Sequence, residues 1–295
     1  MNRPYIRTRA TVTTIGIDMI IALVPVIAWA IFSKGNNAAM IIAASLAGAC
    51  AADAVFDLCG KKIPGLELLC GPLIGIVTGI CMPADTPVWL ATTAGFAAEL
   101  VFGRLADMTG RRFINPPAAA VCLVLLFFGG MLSQDQNAVI GGFGPEHIDL
   151  GAGIVLSVNN AALGSAPAAV LIGLIYLLAR RVISVHIPLA FVLTFGLLTM
   201  LFASNPTNSD APVFALSQML SGTVLLGAVF VAPMYSSSPA SAGGRLLFGI
   251  GCGILTFLFR RMGATGALSE GTMLAIVCMN IFVPVLERVA YRRKK

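Results

Sequence analysis

The chain has 295 residues, 58% of them hydrophobic and only 11% charged, with a formal net charge of +6 and a mean hydropathy of +0.91. An ordinary soluble domain is roughly 25% charged, so this balance excludes a water-soluble fold and implies a polytopic membrane protein whose first partner is the lipid bilayer. The positive excess is no nucleic-acid footprint, because the Lys and Arg residues gather at the ends of apolar runs and not in one basic stripe.

A spanning helix needs about 20 mostly apolar residues, and its backbone groups must be satisfied within the protein. Ten segments fit in chain order: 13–32, 38–57, 66–82, 88–103, 116–132, 166–179, 187–203, 213–233, 244–259 and 271–287. The third, fourth, sixth and ninth are short. Apolar residues come in runs and do not alternate, which argues against a β-barrel. The expected fold is therefore all-α, a single membrane domain over residues 1–295.

The first segment follows "RPYIRTRA" and ends in "AWA" at residues 28–30, which imitates a signal peptide with its cleavage site. With nine more spans behind it, a retained first helix is the simpler reading. All Lys and Arg except Lys34, Arg260 and Arg261 then fall on the side of the N-terminus. The positive-inside rule places both termini in the cytoplasm of a multi-pass protein, with Arg260 and Arg261 against the rule. The seven cysteines lie almost wholly inside spans without a C-x-x-C pair, and His147 and His186 stand alone, so no metal site is expected.

The third span, "GPLIGIVTGICMPADTP" at 71–87, carries three glycines and three prolines, and "SGTVLLGAVFVAPMYSSSP" at 221–239 repeats its character. In each copy a glycine-bearing run ends at a proline, Pro83 or Pro233. A polar break and another apolar span follow, and an Arg pair begins 28 or 27 residues after the proline, at Arg111 or Arg260. Five spans separate equivalent points, and an odd number of crossings inverts the second copy. The expected organisation is two inverted five-helix repeats with broken helices, repeat 1 over about 1–132 and repeat 2 over about 166–287. An outer loop at 133–165 joins them and a cytoplasmic tail covers 288–295. Paired broken helices of this kind meet near the midplane and build the site, whereas the plainer reading is that glycines allow close helix packing. Gly71, Gly75, Gly222, Gly227 and Ser238 are the candidate ligand-binding positions on the two stretches.

Three carboxylates sit at membrane depth: Asp18 in the first span, Asp53 in the second and Glu99 in the fourth. A charge there costs at least about 2.5–3.5 kcal/mol and needs a partner, water or a task. They are the candidate ion pathway. The alternative is that Asp53, Asp57 and Glu99 reach Lys61, Lys62 and Arg104 at the cytoplasmic ends, while Asp18 has fewer obvious cationic partners. Asn115 and Pro116 in "RFINPP" open the fifth span. They offer either a helix start whose N–H groups hold a phosphate or flavin carbonyl, or a plain N-cap with proline at the first helical position.

The order and spacing of "RPYIRTRATVTTIGIDMIIALVP", "GPLIGIVTGICMPADTPVW", "RRFINPPAAA", "LIYLLARRVISVHIPL" and "EGTMLAIVCMNIFVPVLER" resemble the RnfD/NqrB family over nearly the whole chain. The resemblance implies a ten-helix membrane subunit of an Rnf- or Nqr-type electron-transport complex, coupling electron flow to Na+ or H+ translocation in the bacterial inner membrane. It implies other membrane and peripheral subunits of that complex as partners, and flavin as cofactor. Family members attach FMN to the threonine of an S-G-A-T type motif before the sixth helix. Residues 133–167 of this chain contain no threonine. Neither Ser157 nor Ser165 has the motif around it, so FMN or riboflavin, if present, is expected to be noncovalent.

Three functional classes follow. A divergent electron-transfer subunit accounts for the resemblance, a transporter of an ion or flavin-like solute accounts equally for an inverted repeat, and a structural subunit accounts for the absence of a strong motif. There is no Walker loop, G-x-S-x-G or dinucleotide fingerprint.

Overall fold

The computed structural model describes residues 12–59, 70–108, 114–132, 162–202, 211–220, 223–234, 237–262 and 271–292, and among them every regular element is helical. Helices occur in all ten intervals expected from the sequence. They are α1 (Val12–Lys34), α2 (Asn36–Leu58), α3 (Cys70–Ile80), α4 (Val88–Ala97), α5 (Pro116–Leu132), α6 (Pro167–Ala179), α7 (His186–Phe202), α8 (Ala211–Leu220), α9 (Val224–Leu226), α10 (Ala242–Met262) and α11 (Thr272–Arg292). Helix α4 continues through a π-helical stretch at Ala98–Leu105 into Ala106–Met108, and α9 continues into a π turn at Gly227–Val231.

Helical intervals are not the same as full crossings. Among the described residues α1, α2, α10 and α11 are each long and apolar enough to span, and α8 with α9 make a fifth span if a pair bent by 61° is counted as one. Helix α3 has 11 residues, which at 1.5 Å each reach about 16 Å, half of a hydrocarbon core of about 30 Å. The large exposed side chains are apolar: Ile21 and Val24 on α1, Leu126 and Phe127 on α5, Ile172 and Ile175 on α6, Leu193 and Leu197 on α7, Ile281 and Phe282 on α11. Such a surface is unsuited to water and natural against lipid.

Chain reversals follow from local chemistry. Gly35 joins α1 to α2 in a single residue, with a φ of 70° that a side chain would resist. After α3, "MPADTP" is closed by the Thr86 hydroxyl donating to the Pro83 carbonyl at 2.7 Å, and Pro87 precedes α4. Beyond α6 the turn passes through Arg181, a non-glycine with a φ of 56°. Residues 162–165 cover the end of α3, where the N–H groups of Leu163 and Gly164 donate to the Met82 and Ile80 carbonyls, each at 2.9 Å. These bonds satisfy carbonyls that a short buried helix would otherwise leave unpaired.

Glycines set the closest contacts. A Cβ on Gly95 of α4 would strike the Ser45 carbonyl of α2, and one on Gly48 of α2 would strike the Thr92 carbonyl of α4. Gly249 and Gly253 of α10 lie equally close to the backbone of α7 at Ile187 and Phe191. In the first part of the chain α2 packs on α3 and α4, and α4 on α5. In the second part α7 packs on α8 and α10, and α10 on α11. Between the parts, α1 packs on α6 and α5 on α11. Phe191, Phe195, Phe230, Phe248, Leu23 and Ile80 are among the largest fully buried side chains of the shared core.

Candidate functional site

Asp53, Glu99 and Arg104 form a buried charged cluster where α2 meets the π-helical part of α4. The Arg104 Nε donates to Asp53 Oδ1 at 2.8 Å and to Glu99 Oε1 at 3.0 Å, and its Nη2 lies 2.8 Å from Asp53 Oδ1. Glu99 has no exposed surface and the Arg104 side chain only 6%. The guanidinium also lies over the Phe56 ring, 5.7 Å from its centroid. Two carboxylates share one cation, and in a low-dielectric interior that attraction decides where all three side chains sit. The pairing with Arg104 is the one expected of a carboxylate near the cytoplasmic end; Lys61 and Lys62 lie outside the described residues.

Small residues make room for this cluster. A Cβ on Gly71 would collide with the Asp53 carboxylate, and one on Gly103 would come within 2.9 Å of Glu99 Oε2. Gly71 thus brings the start of α3 against the acidic group, joining a candidate ligand position to two candidate ion-pathway residues. Ser45 adds a second tie between α2 and α3, its hydroxyl donating to the Gly75 carbonyl at 2.8 Å.

Asp18 lies apart from this group and has a cation after all. Its Oδ1 accepts from the Tyr176 hydroxyl at 3.0 Å and from Arg180 Nε at 3.2 Å, binding α1 to the end of α6. The Asp18 side chain is 7% exposed and that of Arg180 54%, so the pair has one foot in the core and one at the surface. The hydrogen bond and charge of Asp18 push the Arg180 guanidinium up from its ordinary value. Sequence reading missed this partner because α1 and α6 are distant in the chain. The available signal was Tyr176 and Arg180 spaced four apart at the end of an apolar run, on one helical face.

Asn115 caps α5: its Oδ1 accepts from the Ala118 N–H at 3.2 Å, with Pro116 at the first helical position. Its Nδ2 donates to the Val231 carbonyl at 2.7 Å and to Ser237 Oγ at 3.3 Å, with Met234 Sδ at 3.6 Å. Asn115 therefore fastens the first part of the chain to the end of the second glycine-bearing stretch. Met234 packs with Ile74 of α3 in a small buried cluster, so the two stretches at 71–87 and 221–239 meet directly.

The remaining candidate positions are covered by protein. A Cβ on Gly75 would lie 2.9 Å from the Leu46 Cα and 3.0 Å from the Ser45 carbonyl, and one on Gly227 would lie 2.6 Å from Thr272 Cγ2. Ser238 is half-buried, and its backbone N–H donates to the Met234 carbonyl. Gly222 lies outside the described residues, as does most of the 133–167 segment. Gly71, Gly75, Gly227 and Asn115 form no cradle for a flavin ring, because each is in contact with protein where the ligand would have to sit.

Over residues 1–295 the chain matches the model of the NQR2, RnfD, RnfE family, and it belongs to that family. It is 28% identical to the RnfD protein of the Na(+)-translocating ferredoxin:NAD(+) oxidoreductase complex of Acetobacterium woodii, over 98% of this chain and 92% of that one. It is 26% identical to the RnfD protein of the ion-translocating oxidoreductase complex of Methanosarcina acetivorans, over 96% and 92%. The corresponding protein of the proton-translocating ferredoxin:NAD(+) oxidoreductase complex of Clostridium ljungdahlii is 23% identical over 97% and 92%.

Proposed function

We propose that this chain is the RnfD-type membrane component of an Rnf-type complex that couples electron transfer to the movement of Na+ or H+ across the bacterial inner membrane. Relatives matched end to end carry that role in their names, two of them with different ions, so the ion here must follow from this chain's own residues. The observation that carries the reading is the buried Asp53–Arg104–Glu99 cluster at the head of a half-length helix. Two carboxylates around one fixed cation place an excess of negative charge where a charge without a task is costly, and that excess suits a mobile cation or a proton. Asp18 belongs to the same pathway at the α1–α6 contact.

Two inverted five-helix repeats give this site its setting, with both termini cytoplasmic. The pairings support that arrangement: α2 with α4 matches α7 with α10, and α4 with α5 matches α10 with α11. The helix contacts between the parts, α1 with α6 and α5 with α11, join equivalent helices, as a pseudo-two-fold axis requires. Trp29, Phe32, Trp89 and Phe128 lie near the helix ends assigned to the outside, consistent with an interfacial aromatic belt. Other membrane and peripheral subunits of the complex complete the electron path. FMN or riboflavin, where this chain carries one, is held noncovalently and away from the protein-covered glycines.

Reconstitution tests the reading. With the complex in liposomes and ferredoxin as donor, Glu99→Gln and Asp53→Asn should abolish ion uptake while the variants still assemble. Uptake at the native rate in both variants would remove the carboxylates from the pathway and the reading with them.

A further inference from the structure

The second bent span contains an unfilled hydrogen-bonding demand. Helix α8 ends at Leu220 and α9 begins at Val224, with a bend of 61° between them. A break at membrane depth frees carbonyls at the end of one helix and N–H groups at the start of the next, and both need protein or water. Gln218, in the last turn of α8, has no exposed surface, and neither its Nε2 nor its Oε1 has a hydrogen-bond partner in the protein. Thr256 of α10 is equally buried, and its hydroxyl has no partner. Two other buried threonines on helices, Thr78 and Thr199, donate to the carbonyl four residues back, at 2.7 and 2.8 Å. Thr256 does not use that outlet.

The two residues occupy one layer of the fold. Helix α7 lies against both α8 and α10. Its Phe195 ring is 5.2 Å from the Arg260 guanidinium, one turn beyond Thr256, and the adjacent Gly196 backs onto Met219, next to Gln218. Thr223 and Thr272, both buried, bring further polar side chains to the neighbourhood of the break, and Gly227 touches Thr272. Polar groups buried in native proteins are bonded to protein or to ordered water, and a buried water needs two to four polar partners. Gln218 offers two donors and an acceptor, and Thr256 one donor and two acceptor lone pairs.

We infer that Gln218 and Thr256 line a water-holding cavity at the break between α8 and α9. Water there solvates the freed backbone ends and brings the aqueous phase to the second broken span, opposite the acidic cluster of the first. The inference deepens the ion-translocation reading by giving it a hydrated half-path, but its test reads hydration and not transport, so the two fail separately.

The experiment uses the full chain in its complex, in membranes and in a cysteine-free background. Gln218→Cys and Thr256→Cys are treated with a small methanethiosulfonate reagent, which reacts with ionised thiols in water. Both should be modified, whereas Ala215→Cys, a buried apolar position on the same helix as Gln218, should not. Failure at either 218 or 256, under conditions that modify Lys34→Cys, overturns the cavity. Should the cysteine variants not accumulate, the melting temperature of Gln218→Met decides. Loss of bound water should lower it, and a rise, as expected when an unpaired amide is removed from a dry core, overturns the inference.

Discussion

Glu99 and Arg104 are five residues apart on one helix and share an ion pair at 3.0 Å. At 3.6 residues per turn such a spacing sets two side chains about 140° apart, on different faces. The π-helical stretch at Ala98–Leu105 removes that difference, because its wider turn brings residues five apart nearly into line. One local change of helix type thus gathers Glu99, Arg104 and, from α2, Asp53.

Removing the shared cation should be the most damaging single change in this cluster. Arg104→Gln leaves two buried carboxylates facing each other and is expected to cost about 3–5 kcal/mol, as breaking a buried pair does. Thermal unfolding in detergent measures it. The double variant Arg104→Gln with Glu99→Gln should recover part of the loss, and additive losses would show that the two residues are not coupled.

The Asp18 contact should behave differently, because the Arg180 side chain is 54% exposed and solvent screens the pair. Arg180→Gln is expected to leave the melting temperature nearly unchanged. Asp18→Asn should reduce ion uptake in the reconstituted complex without loss of assembly. If both variants unfold at a lower temperature and the assembled fraction transports normally, Asp18 is only a clasp between α1 and α6.

Glycine substitutions should follow what each new atom meets. Gly75→Leu is directed at the α2 backbone and Gly227→Leu at the tip of the Thr272 side chain, so the first should impair assembly more than the second. Overpacking typically costs about 1–3 kcal/mol. Gly243→Ala, whose Cβ would lie 3.5 Å from that of Ala290, is the tolerated control. Yields of assembled complex rank the three, and a reversed order would contradict the packing described for α2 and α3.

Flavin attachment can be read directly. Expressed together with a flavin transferase, the purified chain should show no fluorescence on a denaturing gel and no added FMN mass, since residues 133–167 contain no threonine. A fluorescent band would point to Thr207 or Thr265 as the acceptor.

Orientation is accessible to thiol labelling in a cysteine-free background. Arg180→Cys should be protected from an impermeant reagent added outside, and Lys34→Cys should react. Arg261→Cys should react too. The inverted repeat demands it although the charge rule does not, and the contact of Arg261 Nη1 with the Phe202 carbonyl at 2.8 Å puts it beside the end of α7.

The amino-acid sequence by itself determined the solvent, the helical class and the positions of the ten helical intervals. These depend on local hydrophobicity and on proline and glycine breaks, which act over a few residues. It also displayed the two glycine-bearing stretches, the lone carboxylates and the alternatives for Asn115. Only the tertiary structure decided what these residues touch. The bonds from Asn115 to Val231 and Ser237, from Asp18 to Tyr176 and Arg180, and from Ser45 to Gly75 join positions far apart in the chain, and no periodicity encodes them. The same holds for helix length, since α3 stops at Ile80 where residues 162–165 cover its carbonyls. The π stretch is the sharpest case. "AELVFGRL" suits an α-helix as well, and its wider turn becomes favourable only when Asp53, from another helix, shares Arg104 with Glu99.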